Sequence, residues 1–301
     1  MKNRPKISVV TPSYNQAAFL EQTILSVLEQ DYDNVEYIII DGGSNDGSVD
    51  IIRRYSDQLS YWVSAPDGGQ SEAINKGFEH ATGDIYCWLN SDDYFERGAL
   101  CMVAKHFSSN PEWRVLNGGC RIIDERYPDH QYTRSLSVAA KDALDEWTQH
   151  WFAQPSTFWS RDLWQQVGPV RNDLHFVMDI ELWKRFLLHT SIHGVTDVLA
   201  TCRMHDSAKC ASSYTQVISE MFVLLFDEYP DVNNEFKEKV LRQVKEVAAG
   251  SERALAANRE LASKLSLESS LRGALQSEAT ALRDSRWLAM GSTLKNMFWR
   301  R

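Results

Sequence analysis

Apolar positions along the first hundred residues fall into short runs that alternate between two periods. Residues 7–10 form a run of strand length, followed by the polar stretch Thr11-Pro12-Ser13-Tyr14-Asn15-Gln16. Over residues 19–30, Leu20, Ile24, Val27 and Leu28 recur at helical spacing and predict an amphipathic helix. Residues 35–40 read as a second strand ending at Asp41, and the loop 42–48 leads into a helix through Tyr55. A third strand is predicted at 59–63, then a turn at 67–70 and a helix to His80 capped by Ser71. Residues 85–89 read as a fourth strand, and 98–107 as the helix after it. Strand, loop and helix repeat four times, the signature of an α/β protein whose mostly parallel central sheet is flanked by helices.

From residue 111 the pattern loosens. Residues 115–123 and 132–136 read as strands, and 147–159 are rich in aromatics. A helix at 162–167 is stopped by Gly168-Pro169, a second helix is predicted at 179–188 and a strand at 192–200. Helical pattern dominates from Tyr214. Leu261, Leu265, Leu271, Leu275 and Leu282 recur at helical spacing, but breaks at Ser251, Asn258 and Gly273 favour packing on the body over a long coiled coil. The chain is thus expected to divide into a domain at 1–213, with halves 1–110 and 111–213, and a helical extension at 214–301.

Charge sharpens this division. The 301 residues carry a net −9, which argues against nucleic acid as a partner. From Lys237 onward thirteen Lys/Arg face seven Asp/Glu, so the tail carries +6 and the preceding body −15. Residues 287–301 mix Trp287, Leu288, Phe298 and Trp299 with Lys295, Arg300 and Arg301, a composition suited to an anionic membrane surface. A docked terminal helix is the competing reading. No apolar run is long enough to span a bilayer. The N-terminus runs directly into a strand, and the five cysteines (87, 101, 120, 202 and 210) lack framework spacing. A cytoplasmic protein, peripheral on the inner face of the membrane, is expected.

Candidate chemistry begins where the fourth strand ends, at Asn90-Ser91-Asp92-Asp93. Two adjacent carboxylates repel unless something neutralises them. A divalent cation bridging to a diphosphate does so, because Mg²⁺ or Mn²⁺ favours one or two carboxylates plus phosphate oxygens. In open α/β sheets the ligand crevice lies at the carboxyl ends of the strands. An Asp cap on the next helix with a solvated neighbour is the plainer alternative.

Four segments occur in order: Thr11-Pro12-Ser13-Tyr14-Asn15, Asp41-Gly42-Gly43-Ser44-Asn45-Asp46-Gly47-Ser48, Ala73-Ile74-Asn75-Lys76-Gly77 and Leu89-Asn90-Ser91-Asp92-Asp93. Together they resemble the family 2 glycosyltransferases, inverting enzymes of GT-A fold found in bacterial surface-glycan assembly. The resemblance runs from Lys6 to about Ser213. It implies that Pro12, Tyr14, Asp41, Asn75, Lys76, Ser91 and Asp92 bind a nucleotide sugar, with Tyr14 stacking beside the base and Asp41 accepting from it. Asp93 becomes the main ligand of Mn²⁺ or Mg²⁺, and His205, within Arg203-Met204-His205-Asp206, a further ligand or diphosphate contact. Arg203 and Lys209 are expected to help neutralise the diphosphate.

Asp179 takes the place of the catalytic base, with Glu181 and then Asp173 as fallbacks. Gln154, Glu181 and Trp183 are assigned to the acceptor side. Trp88, Trp151 and Trp159 are core residues by default and sugar-stacking candidates. The implied reaction is non-processive transfer from a nucleotide sugar, UDP-linked by expectation, to a saccharide hydroxyl, lipid-linked if the tail binds membrane. GDP and dTDP donors and a homo-oligomer stay open. Two other classes compete: a nucleotidyltransferase that makes the sugar nucleotide, and a non-catalytic carbohydrate-binding or scaffold protein on the same fold.

Overall fold

The β-branched N-terminal run builds β1 (Ile7–Ser13), buried along its whole length in the computed structural model. The structure describes residues 4–125, 131–134, 153–205, 208, 209, 216, 217, 219–221, 223, 224 and 242. β1 lies between β2 (Val35–Asp41) and β4 (Ile85–Trp88), parallel to both, and β3 (Tyr61–Ser64) extends the sheet beyond β2. β1 is three residues longer than expected and passes through Pro12. β4 pairs only with Ile7 to Val10, so beyond Val10 one side of β1 makes no ladder bonds and a residue without an N–H is tolerated. The connecting helices are α1 (Ala17–Leu28), α2 (Ser48–Arg54), α3 (Gln70–His80) and α4 (Ala99–Ser109). α3 presses hard on β1, since a Cβ at Gly77 would lie 2.3 Å from Val10 Cγ1.

The second half of the sheet departs from simple alternation. After α4 come β6 (Val115–Asp124) and β7 (Gln131–Arg134), an antiparallel pair. Residues 147–159, expected only to be aromatic-rich, supply β8 (Thr157–Ser160), which inserts antiparallel between β4 and β6. Residues 147–152, with Trp151, and the expected strand end at 135–136 lie outside the described residues. β9 (His193–Met204) runs parallel to β6, and the two-residue strand β5 (Tyr94–Phe95), not expected from sequence, pairs antiparallel with it. The order is β3-β2-β1-β4-β8-β6-β9-β5, with β7 on β6. α5 (Arg161–Val167) and α6 (Met178–Leu187) lie between β8 and β9.

The core is continuous across both halves. Trp88 of β4, Trp159 of β8 and Trp183 of α6 are each at most 1 % exposed, and their ring centroids lie 5.4–5.6 Å apart. Ser71, expected as a cap, lies inside α3 and donates to Leu174 O across the two halves at 2.8 Å. The chain separates into two compact units, Met1–Val232 and Asn233–Arg301. The first unit therefore extends past the boundary expected at 213. Leu224, one of the helical residues 216, 217, 219–221, 223 and 224, joins its core, with Val217 and Met221 packed beside it. In the second unit everything but Arg242 lies outside the described residues, including the leucine-rich stretch and 287–301.

Candidate active site

The loops after β1 and β2 clasp each other at the carboxyl end of the sheet. Asn15 N–H donates to Ser44 Oγ at 2.7 Å, and Asn45 N–H to Asn15 Oδ1 at 3.0 Å. Asp46 accepts from Ala17 N–H at the start of α1 and from Ser48 N–H at the start of α2. Asp41 is fully buried and accepts from Gly43 N–H, Ser44 N–H, Ser44 Oγ and Ser64 Oγ. Three of these bonds fall on Oδ2 and one on Oδ1, so Asp41 builds the loop. Pro12 is likewise buried within β1, opposite Ile40.

What the clasp leaves outward is Tyr14, 62 % exposed. Beside it lies a group that the sequence did not flag. Asp67 Oδ1 accepts from Gly69 N–H at 2.9 Å, while buried Asp67 Oδ2 has no hydrogen-bond partner among the described residues. A Cβ at Gly42 would stand 3.1 Å from Asp67 Oδ1 and 3.3 Å from the Tyr14 ring, so these three groups meet tightly at the glycine. A buried acceptor without a donor is costly unless a ligand supplies one.

Asn75 and Lys76 sit differently from expectation. The Asn75 amide is spent on the other half of the molecule: Nδ2 donates to Val170 O and Oδ1 accepts from Val170 N–H. It stitches a seam and does not face the crevice. Lys76 Nζ pairs with Glu72 at 2.6 Å, and Glu72 in turn accepts from Gly68 N–H, so the pair braces the Asp67 loop.

The acid pair occupies a tight turn after β4. Thr23 of α1 donates to Ser91 O and Asp93 O, pinning the turn from below, and the Ser91 side chain is buried. Asp93 is 3 % exposed; its Oδ1 accepts from Arg203 N–H at 3.0 Å and its Oδ2 lies 3.4 Å from Asn90 Nδ2. Burial first, and then the neighbouring Asp92 charge, push the Asp93 carboxyl well above the ordinary carboxylate range. His205 Nε2 lies 3.2 Å from Asp92 Oδ2, and its ring rests on Phe19 at 4.3 Å. Arg203 serves Asp93 through its main chain. Its guanidinium bonds Gln22 and lies 3.4 Å from Glu125, over the Phe19 ring, away from the role expected for it.

A one-way chain of hydrogen bonds crosses behind the acids. Lys209 Nζ donates to Gln70 Oε1, Gln70 Nε2 to Asn90 Oδ1, Asn90 Nδ2 to Gln154 Oε1, and Gln154 Nε2 to Trp88 O, at 2.7–3.0 Å throughout. Gln154 thus braces the acid turn, and Gln70, unremarked in the sequence, is a link in the same chain. Trp183 is a core residue with no face open to a sugar.

The three acceptor-side carboxylates differ sharply. Asp173 is held by Arg171 at 2.6 Å, and that bond draws its carboxyl below the usual range. Glu181 is gripped by Arg185 through two bonds of 2.8 and 2.7 Å. Asp179, second residue of α6, accepts among the described residues from Ile180 N–H alone, at 2.8 Å, and burial pushes it up to about 6.

Among the described residues no three His, Cys, Asp or Glu side chains converge as a ready-made metal site. The donors present nevertheless fit a hard cation completed by phosphate oxygens. Asp92 and the buried Asp93 are adjacent carboxylates, a His205 nitrogen lies beside Asp92, and among the described residues no cationic side chain pairs with Asp93. Asp92, Asp93 and His205 are the residues that would hold it.

The glycosyl transferase family 2 model matches residues 8–163. An uncharacterized glycosyltransferase of Rickettsia typhi is 25 % identical over 257 residues, covering 82 % of this chain and 76 % of that protein. One from Mycobacterium tuberculosis is 42 % identical over 96 residues, or 32 % of this chain and 37 % of that protein. Among solved structures, S. aureus TarS 1–349 in complex with UDP-GlcNAc matches with TM-score 0.56 and 18 % identity over 79 % of this chain and 71 % of that one. This chain spans 42 % of the longer TarS structure. The mannosyltransferase PcManGT from Pyrobaculum calidifontis, in complex with GDP-Man and Mn2+, matches with TM-score 0.56 and 18 % identity over 85 % of this chain and 76 % of that one. These likenesses show the GT-A fold.

Proposed function

Since the chain belongs to glycosyl transferase family 2 and is a glycosyltransferase of GT-A fold, we propose that it transfers a sugar from a nucleoside diphosphate donor to a saccharide hydroxyl by single displacement with inversion. One observation carries this reading. Of the three acceptor-side carboxylates, Asp179 alone has no cation bonded to it among the described residues and is pushed up to about 6, the setting of a general base near neutrality. Asp179 takes the acceptor proton as the hydroxyl oxygen bonds to the anomeric carbon and the bond to the diphosphate oxygen breaks. Asp92, Asp93 and His205 would hold a divalent cation, which when bound would neutralise charge on the leaving diphosphate.

The donor base stacks on Tyr14, and Asp67 Oδ2 takes its ring N–H. An acceptor-only carboxylate favours uracil, thymine or guanine, which carry such a donor, over cytosine, which does not. A UDP-linked donor fits, as does the GDP-linked kind bound by the mannosyltransferase neighbour. The acceptor is read as a saccharide of surface-polysaccharide assembly, lipid-linked where the basic tail meets a membrane.

The test is a panel of nucleotide sugars, including UDP-GlcNAc, GDP-mannose and a CDP-linked control, scored by binding and by slow hydrolysis with Mn²⁺. Binding of one UDP-, GDP- or dTDP-sugar, with release of its diphosphate and loss of both on adding EDTA, is expected. Equal activity with EDTA and with Mn²⁺ overturns the metal assignment, and preferred binding of the CDP-sugar overturns the Asp67 assignment.

A further inference from the structure

Three consecutive main-chain donors converge on one distant carboxylate. His175, Phe176 and Val177 N–H donate to Glu220 at 2.8, 2.7 and 3.1 Å. These residues form the turn leading into α6, and Asp179 follows two positions later. Glu220 is one of the helical residues 216, 217, 219–221, 223 and 224, among which Val217, Met221 and Leu224 recur at spacings of four and three and pack on the core. That packing carries the carboxylate to the turn. Bonds to an ionised acceptor are the strong kind, and three of them fix three successive peptide planes.

We propose that Glu220 is a positioning residue, which by pinning the 175–177 turn sets where the Asp179 carboxylate stands against the incoming hydroxyl. The proposal rests on the reading of Asp179 as the base. Both residues lie beyond the family-matched 8–163. Electrostatics adds a second link. Burial is the main cause of the raised Asp179 proton affinity; Lys209 opposes it, and the Glu220 charge adds to it. The other charged groups on this turn and helix are His175, Lys184, and Glu181 bound to Arg185, while Asp173 before the turn is held by Arg171.

The experiment compares Glu220→Gln, Glu220→Asp and Asp179→Asn in the full chain. Turnover is diphosphate release from UDP-GlcNAc or GDP-mannose with water as acceptor, followed against pH. The Asp179 carboxyl is titrated separately by ¹³C NMR. Glu220→Gln is expected to lower turnover per folded molecule at least about tenfold, toward the ~10²-fold that a 1 Å misplacement costs, with donor affinity unchanged. Its acid limb, and the Asp179 titration, move to lower pH because a neighbouring negative charge is gone. Glu220→Asp keeps the charge but shortens the reach, so turnover falls while the limb stays in place.

Wild-type turnover per folded molecule in Glu220→Asp, or an unmoved Asp179 titration in Glu220→Gln, overturns the proposal even if the melting temperature falls. Full turnover in Asp179→Asn overturns the base reading instead. An inactive Asp179→Asn beside an unaffected Glu220→Gln overturns the positioning role alone.

Discussion

At the residue scale the molecule separates groups that hold the site from groups left to react. Asp41, Ser44 and Asn15 bond to one another, Asp46 bonds to Ala17 and Ser48, and Glu181 is spent on Arg185. Among the described residues Asp67 Oδ2 has no hydrogen-bond partner and Asp179 accepts a single bond through Oδ1. Asp179→Asn is expected to retain donor binding and lose roughly 10²–10⁴-fold in transfer, whereas Glu181→Gln keeps most of its turnover. A base must be ionised, so wild-type turnover falls as pH drops through about 6. Single-turnover measurements across pH 5–8 check this (the range brackets that value on both sides), and loss of transfer in Glu181→Gln with retention in Asp179→Asn would transfer the role. The acid pair stood out in sequence because it ends a patterned strand, while Asp179 was reached only through the resemblance to the family. The roles of Asp67, Gln70 and Glu220 were not legible there, because each depends on partners brought together only by the fold.

Among the elements, the strands are locked at their amino ends by one buried carboxylate. Glu36 of β2 accepts from Lys6 Nζ, Ser8 Oγ, Thr82 N–H and Thr82 Oγ1 at 2.6–2.8 Å, joining β2 to β1 and to the turn before β4. Burial raises its pKa, but these four bonds outweigh burial and hold it at about 2, against a usual 4.5. A carboxyl depressed on folding stabilises the protein above its unfolded pKa, and that contribution fades as pH falls from 4.5 toward 2. Glu36→Gln should cost about 2–3 kcal/mol at pH 7, less than a fully buried pair because Lys6 can rehydrate. Urea unfolding at pH 7 and pH 3 checks it, and a gap between variant and wild type that stays constant with pH would refute the linkage.

The same scale shows where pattern runs out. Four strand–helix repeats were plain because each helix and strand carries its own period. β5 has two residues, too short to show any period, and β8 breaks the strand–helix alternation by pairing antiparallel with strands remote in sequence. β9 outran its expected end at residue 200 because Thr201 to Met204 continue the ladder along β6 as far as Asp124, and this extension places the Arg203 N–H on Asp93.

For the whole molecule, the uneven charge is the property that local structure does not explain. The first 236 residues carry −15 and the rest +6, and the last fifteen residues join three cations to Trp287, Phe298 and Trp299. An acidic body is repelled by anionic lipid, so attachment would have to come from the tail. Each basic residue near such a surface contributes about 1 kcal/mol, so Lys295, Arg300 and Arg301 together are worth about 3 kcal/mol before any aromatic burial. Deleting 287–301 is therefore expected to cut co-sedimentation with phosphatidylglycerol-containing vesicles about 10²-fold while leaving nucleotide-sugar hydrolysis in solution unchanged. Raising salt should weaken binding of the full chain toward that of the truncated one, because the Debye length shrinks from about 30 Å at 0.01 M to about 3 Å at 1 M. Full-length protein that ignores these vesicles at low salt would assign the tail to packing or self-association, and the acceptor would then be sought among water-soluble saccharides.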